Sequence, residues 1–247
     1  MQFREVARFL LEAGKWGLDH FFAPVLTAIL LLVWGPNVVE QNALRNPTCE
    51  NTEGAIPIPQ NRVSVTGSDA QTPRDDETDA DWKLTNLVDG NTHTAWVPLD
   101  ADLAANSESR PHATFNFHRR NSDEPWPIDL ALVCVVNGYQ VSEVGYIRAN
   151  RARTIEVRTD DDEDARTIVL DSVSEAEIQN PQTVDVRKGD VTELRITIVD
   201  TYAGRSVWDP ANGRNQDPTG HTAIAEVLFF RKDPDLPPWY LFWWPFD

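Results

Sequence analysis

A chain of 247 residues with 41% hydrophobic content is long enough to bury the core of one large domain or two small ones. Its formal charge of −17 excludes nucleic acid as a partner, because binding a polyanion needs a surplus of Lys and Arg to displace counterions. Its two cysteines are too few for a disulfide scaffold and lack the Cys-x-x-Cys spacing of a metal or redox site.

At the N-terminus, Phe3, Val6, Ala7, Leu10, Gly14, Gly17 and Leu18 fall at helical spacing, with Arg4, Glu5, Arg8, Glu12 and Lys15 between them. That pattern predicts an amphipathic helix over 1–19 lying in a membrane interface, with Phe3, Phe9 and Trp16 as contacts. The uncharged run Phe21 to Val39 would cover about 28 Å as a helix, close to the hydrocarbon thickness, so 20–41 reads as one transmembrane helix. Phe21, Phe22 and Trp34 are its expected lipid or partner contacts, and His20 at its edge is satisfied there without a pigment or haem. The late apolar core and acidic residues in the basic region argue for a retained span rather than a cleaved signal peptide. Arg4, Arg8 and Lys15 precede the span and Arg45 alone follows closely, which places the N-terminus in the cytoplasm and the rest outside it.

Pro47, Gly54, Pro57 and Pro59 mark 42–61 as an extended linker. From 62 to 232 come eight short apolar segments: Val63 with Val65; Ala113, Phe115 and Phe117; Ile128 to Val136; Ile155 and Val157; Ile168 and Leu170; Val184 and Val186; Leu194, Ile196 and Ile198; Ile224 to Phe230. Reversals are expected at Asp89-Gly90, Asn137-Gly138, Asp160 to Asp164, Lys188-Gly189 and Asn212-Gly213. The prediction is an all-β sandwich whose long polar loops, Gly67 to Asp81 and Ala203 to Gly220, gather at its ends as recognition surfaces. If this domain lies outside the cytoplasm, Cys49 and Cys134 can pair; otherwise Cys134 is a small core hydrophobe and Cys49 a free thiol.

The run from Asn86 through Asp89, Gly90 and Thr94 to Trp96 resembles the N-L-x-D-G-x-x-x-T-A-W opening of discoidin-like, galactose-binding-like jelly rolls, in particular the NADase-type glycan-binding subgroup. Val136-Asn137-Gly138-Tyr139, then Tyr146 with Asn150-Arg151-Ala152-Arg153, Ile196 to Tyr202 with Gly204, and Ala223 to Val227 are similar to that subgroup's later blocks, in order. The resemblance covers about 62–231 and departs from it at Ala225 and Arg153, where the family commonly has Ser and Lys. It implies a jelly roll and, for some members, carbohydrate binding. Most of these residues read as structural: Asp89-Gly90 as a tight turn, Trp96 as a core side chain, and Glu226 as a partner for Arg151 or Arg153.

Catalytic arrangements are absent from the sequence: there is no G-x-S-x-G, H-E-x-x-H, phosphate loop or G-x-G-x-x-G. His93, His112, His118 and His221 are scattered, with Asp209 and Asp217 as potential loop neighbours of His221. The acidic runs Asp160 to Asp164 and Asp75 to Asp81 offer oxygens to Ca²⁺ but lack the spacing and glycine of a defined loop, so they read as solvated tips and no cofactor is expected. At the C-terminus, 233–247 packs Trp239, Tyr240, Phe242, Trp243, Trp244 and Phe246 around three prolines. Such a tail belongs in a headgroup belt, in a groove on a partner, or folded back on its own domain.

Two hydrophobic ends predict a non-enzymatic accessory or scaffold subunit of a multi-subunit membrane complex, respiratory or photosynthetic, with membrane lipid and other membrane-protein subunits as partners. The alternative is a surface lectin-like module that binds glycan through its end loops and any exposed aromatic side chain.

Overall fold

Alternating apolar and polar residues decide which face of a strand is buried, and the pattern produces two sheets packed across one core. The computed structural model describes residues 47–72, 82–99, 110–140, 142–160, 162, 165–171 and 180–234, all within the unit Pro47–Asp247. One sheet contains β2 (Val63–Gly67), β3 (His112–Phe117), β5 (Asn150–Thr159), β6 (Arg166–Val169) and β9 (Glu193–Tyr202). Its order runs β2-β3-β9-β5, with β6 also paired to β5. The other contains β1 (Ala55–Pro57), β4 (Ile128–Asn137), β7 (Gln182–Val184), β8 (Lys188–Val191) and β12 (Thr222–Lys232). Here β12 lies between β1 and β4, and both β7 and β8 pair with β4. Thr222 and Ala223 of β12 also pair with Asn150 and Arg151 of β5, which links the two sheets. This is an all-β jelly-roll sandwich.

On β3 every second side chain is buried, and Phe115 and Phe117 meet Phe229 of the facing sheet at ring separations of 4.9 and 5.2 Å. Each such ring contributes roughly 1.5–3 kcal/mol by leaving water. By contrast β4 is buried almost throughout, because both of its faces are covered. Leu130, Val133 and Val135 enter the main core, whereas Ala131, Leu132 and Cys134 pack with Cys49, Ala55, Leu228 and Phe230.

That second cover comes from the stretch expected to be a linker. Residues 55–57 within it form β1 along the edge of β12, a position where Pro57 needs no ladder donor. Cys49 and Cys134 are joined in a disulfide that spans 85 residues of sequence. All eight expected strands are present, joined by β1, β8 and a separate hairpin of β10 (Val207–Asp209) with β11 (Arg214–Gln216). The reversal expected at Lys188-Gly189 is instead part of β8, because Lys188 and Val191 pair with Leu130 and Ile128 across an irregularity in the ladder.

Among the described residues no helix is long and apolar enough to cross a membrane. The expected interfacial helix 1–19 and span 20–41 lie outside them, so Phe3, Phe9, Trp16, Phe21, Phe22 and Trp34 are not placed. The same holds for Trp239, Tyr240, Phe242, Trp243, Trp244 and Phe246 of the tail.

Candidate functional site

The end of the sandwich where β4 and β9 finish and β5 and β12 begin gathers most of the sequence-selected motif residues. Asn137 stands in for a strand pair: its Nδ2 donates to Ala152 O at 2.7 Å and its Oδ1 accepts from Ala152 N at 3.0 Å. Gly138 follows at φ +89°, and a Cβ there would lie 2.7 Å from the Tyr146 ring. Tyr139 packs against the small cluster of Trp82, Ala95, Val97 and Ala223.

A short helix, α1 (Glu143–Arg148), closes this corner, with the Ser142 side chain accepting from Gly145 N at its start. Its Tyr146 is buried, which pushes the phenol above its ordinary pKa against the opposing pull of Arg151. The Arg151 guanidinium sits 4.7 Å from the Tyr146 ring centroid and donates to Tyr146 O at 3.2 Å.

The loop 203–220 is fastened to this corner. Asn150 uses both amide atoms, accepting from Gly204 N and donating to Gly220 O, each at 2.8 Å. Arg148 Nε donates to Asp217 O at 2.7 Å, and Arg205 N donates to Ile147 O at 3.0 Å. Gly204 lies so close to the helix that a Cβ would come 1.9 Å from Arg148 O, so no other residue fits without displacement.

Within the loop, Asp209 organises the β10–β11 hairpin. Its carboxylate accepts from Ala211 N at 2.9 Å, from Asn212 Nδ2 at 2.5 Å and from Gln216 Nε2 at 3.0 Å. The Asn212 side chain first, with the other donors, holds the carboxyl below its ordinary pKa. Beside it Trp208 is 57% exposed, an indole projecting from a hairpin that is braced at its base. The sequence singles out the loop but not Trp208, although an aromatic inside a polar, Asp-rich stretch is the signal that marks it.

The remaining motif residues are structural. Trp96 is 1% exposed and its backbone exchanges hydrogen bonds with Ile224, so it is core and not a sugar platform. Asp89 accepts from Asn91 N and from the Thr94 hydroxyl, both at 2.8 Å, and Gly90 completes the turn at φ +76°.

Glu226 does not pair with either expected arginine. Its Oε1 accepts from Gln60 Nε2 at 2.9 Å and from Gly90 N at 3.3 Å, while Arg153 reaches Asp200 at 3.2 Å. Burial, reinforced by the charge of Asp89, raises the Glu226 carboxyl to about 7.

His221 packs on Trp82 at a ring separation of 5.2 Å, while Asp209 is committed to the hairpin. Of the acidic run, Asp160 accepts from Thr192 N at 3.0 Å, and Asp162 meets Lys188 at 3.1 Å. Burial alone would push the Asp162 carboxyl up, but hydrogen bonds from Thr159 and Lys188 and the Lys188 charge hold it below its ordinary pKa. Among the described residues no group of three or more His, Cys, Asp or Glu side chains is arranged to hold a metal ion. The run 75–81 lies outside them.

No curated protein matches the chain. Among solved structures it is similar to the family 32 carbohydrate-binding module of NanJ from Clostridium perfringens in complex with galactose, at 14% identity and a TM-score of 0.43. That similarity covers 72% of this chain and 99% of the other. A putative chitobiase fragment from Bacteroides thetaiotaomicron is similar at 14% identity and a TM-score of 0.45, covering 72% of this chain and 93% of the fragment. Residues 62–212 match the family described as NAD glycohydrolase translocation F5/8 type C domain.

That match overturns the expectation of an accessory subunit of a membrane complex, which rested on the two hydrophobic ends. The body of the chain is a discoidin-like domain. Since the match spans more than half of the chain, the protein belongs to the NAD glycohydrolase translocation F5/8 type C family.

Proposed function

We propose that this protein is a non-catalytic, glycan-binding discoidin-like module whose binding surface is the braced loop 203–220. The observation behind this reading is Trp208, 57% exposed on a hairpin fixed by Asn150, Arg148 and Asp209. A sugar ring presents an apolar C–H face and a rim of hydroxyls, so it needs a rigid aromatic surface flanked by polar groups. A large apolar side chain left in water on a pre-ordered loop meets the first need at little ordering cost on binding. Arg205, Arg214, Asn215 and Asp217 lie beside it in sequence on the same loop.

The uncharged run 21–39 and the basic residues before it support an anchor that presents the module outside the cytoplasm, in contact with membrane lipid. The Cys49–Cys134 disulfide fits an oxidising compartment. An array of neutral, amino and acidic glycans, probed with and without Ca²⁺, tests the reading. Binding to at least one glycan class is expected, and a blank array under both conditions contradicts it.

A further inference from the structure

A concave surface lies at the other end of the sandwich, where β12 leaves the sheet and β4 enters it. It is a cavity of about 350 Å³ bordered by Trp126, Asp129, Asp190, Arg231, Lys232 and Asp233. The size falls within the ~300–1,000 Å³ typical of small-molecule pockets. The ten steps of β12 from Thr222 to Lys232, at about 3.3 Å each, put it on the order of 30 Å from the loop that carries Trp208.

The walls of this cavity are set before any ligand arrives. Trp126 N donates to Phe117 O at 2.9 Å, and the indole packs against the main core. The guanidinium of Arg62 lies 4.7 Å from its ring centroid and that of Arg231 5.8 Å. These cation–π contacts join the start of β2 to the end of β12 through the β3–β4 loop and fix the indole in place. Pro127 and Pro234 add apolar rims.

Charge decides the ligand class. Asp129, Asp190 and Asp233 share the lining with Arg231 and Lys232, while Arg62 lies against the indole and outside the lining. A net anion would face three carboxylates and a net cation two basic groups. A hydrocarbon would desolvate charged groups in this lining without supplying a hydrogen bond in return. A neutral ring carrying vicinal hydroxyls both donates to carboxylates and accepts from cations, while its C–H groups meet the indole and the prolines. We infer that this cavity is a second, independent site for a neutral sugar residue, at the opposite end of the module from Trp208. In the class of its ligand this inference rests on the glycan-binding reading. Two sites so far apart would let one chain bridge two glycans or engage one long glycan with avidity.

The test uses the full chain carrying 5-fluorotryptophan, kept soluble in a sugar-free detergent and followed by fluorine NMR. The variants Trp126→Phe and Trp208→Phe identify the two lines. The probes are the methyl glycosides of galactose, glucose and mannose, and N-acetylglucosamine. A saturable shift of the Trp126 line, weakened about tenfold or more in Asp129→Ala/Asp190→Ala, supports the second site, since losing one charged hydrogen bond costs about that factor. If the Trp208 line moves and the Trp126 line does not, the second site is refuted while the reading of the hairpin stands. A Trp126 shift that survives unchanged in the double variant also refutes it. If neither line moves with any of these sugars, the second site is refuted, and the reading of the hairpin is decided by the glycan array.

Discussion

Glu226 is a carboxyl buried to 1% exposure, with Oε2 lacking a hydrogen-bond partner and Asp89 close enough to oppose its ionisation. Its folded pKa of about 7 lies above the 4.5 of the free group, so the folded state holds the proton more tightly than the unfolded chain. The stability this contributes is fully present below about pH 4.5 and lost as the pH rises through about 7, on the order of 3 kcal/mol over that window. Glu226→Gln stays neutral at every pH and keeps an acceptor for Gln60 and Gly90. Urea unfolding of both proteins should therefore show the variant gaining on the wild type between about pH 5 and pH 8. A stability difference that does not change with pH would contradict the assignment. The sequence marks Glu226 as important but chooses the wrong partner, because Gln60 lies in the stretch read as linker and Gly90 offers a backbone donor that composition cannot reveal.

Elements were legible wherever burial imposed a period. β3 alternates strictly, so its strand and its inward face are both readable from His112 to Phe117, and the continuous apolar run of β4 announces a strand covered on both sides. What covers its outer side was not legible, because β1 is three residues long and ends in proline. The strands of the β10–β11 hairpin escaped for a related reason, although its reversal at Asn212-Gly213 was legible. Asp209 organises its turn and Asn150 of β5 ties the two ends of the surrounding loop, with no apolar face, so there is no period to detect. That same dependence makes it testable. Asn150→Ala removes two of the bonds that fasten the loop and is expected to destabilise the fold by about 1–3 kcal/mol. Amide hydrogen exchange should rise in Val207–Asp209 and Arg214–Gln216 more than in β3 or β9. Uniform loss of protection would mean that Asn150 does not hold this loop in particular.

At the scale of the whole domain, the stretch from Cys49 to Pro57 is stitched to the sheet by β1 and by the Cys49–Cys134 disulfide, at the end of β12 opposite the loop 203–220. A cross-link enclosing so long a loop should stabilise by about 2–4 kcal/mol, chiefly by restricting the unfolded chain. Reduction, or the paired change Cys49→Ser/Cys134→Ser, should lower the urea midpoint accordingly, and an unchanged midpoint would show that β1 alone fastens the segment. The two cysteines were visible in the sequence as a possible pair, but only the packing of Cys49 beside β4 brings them together. The central claim, that the braced loop binds glycan through Trp208, is tested most directly by titration calorimetry of wild type and Trp208→Ala against the best array ligand. Trp208 is exposed, so its removal should leave folding stability within about 0.5 kcal/mol. Affinity is expected to fall about tenfold or more with folding intact, in line with the loss of an aromatic platform. Unchanged affinity in a folded Trp208→Ala protein would contradict the account.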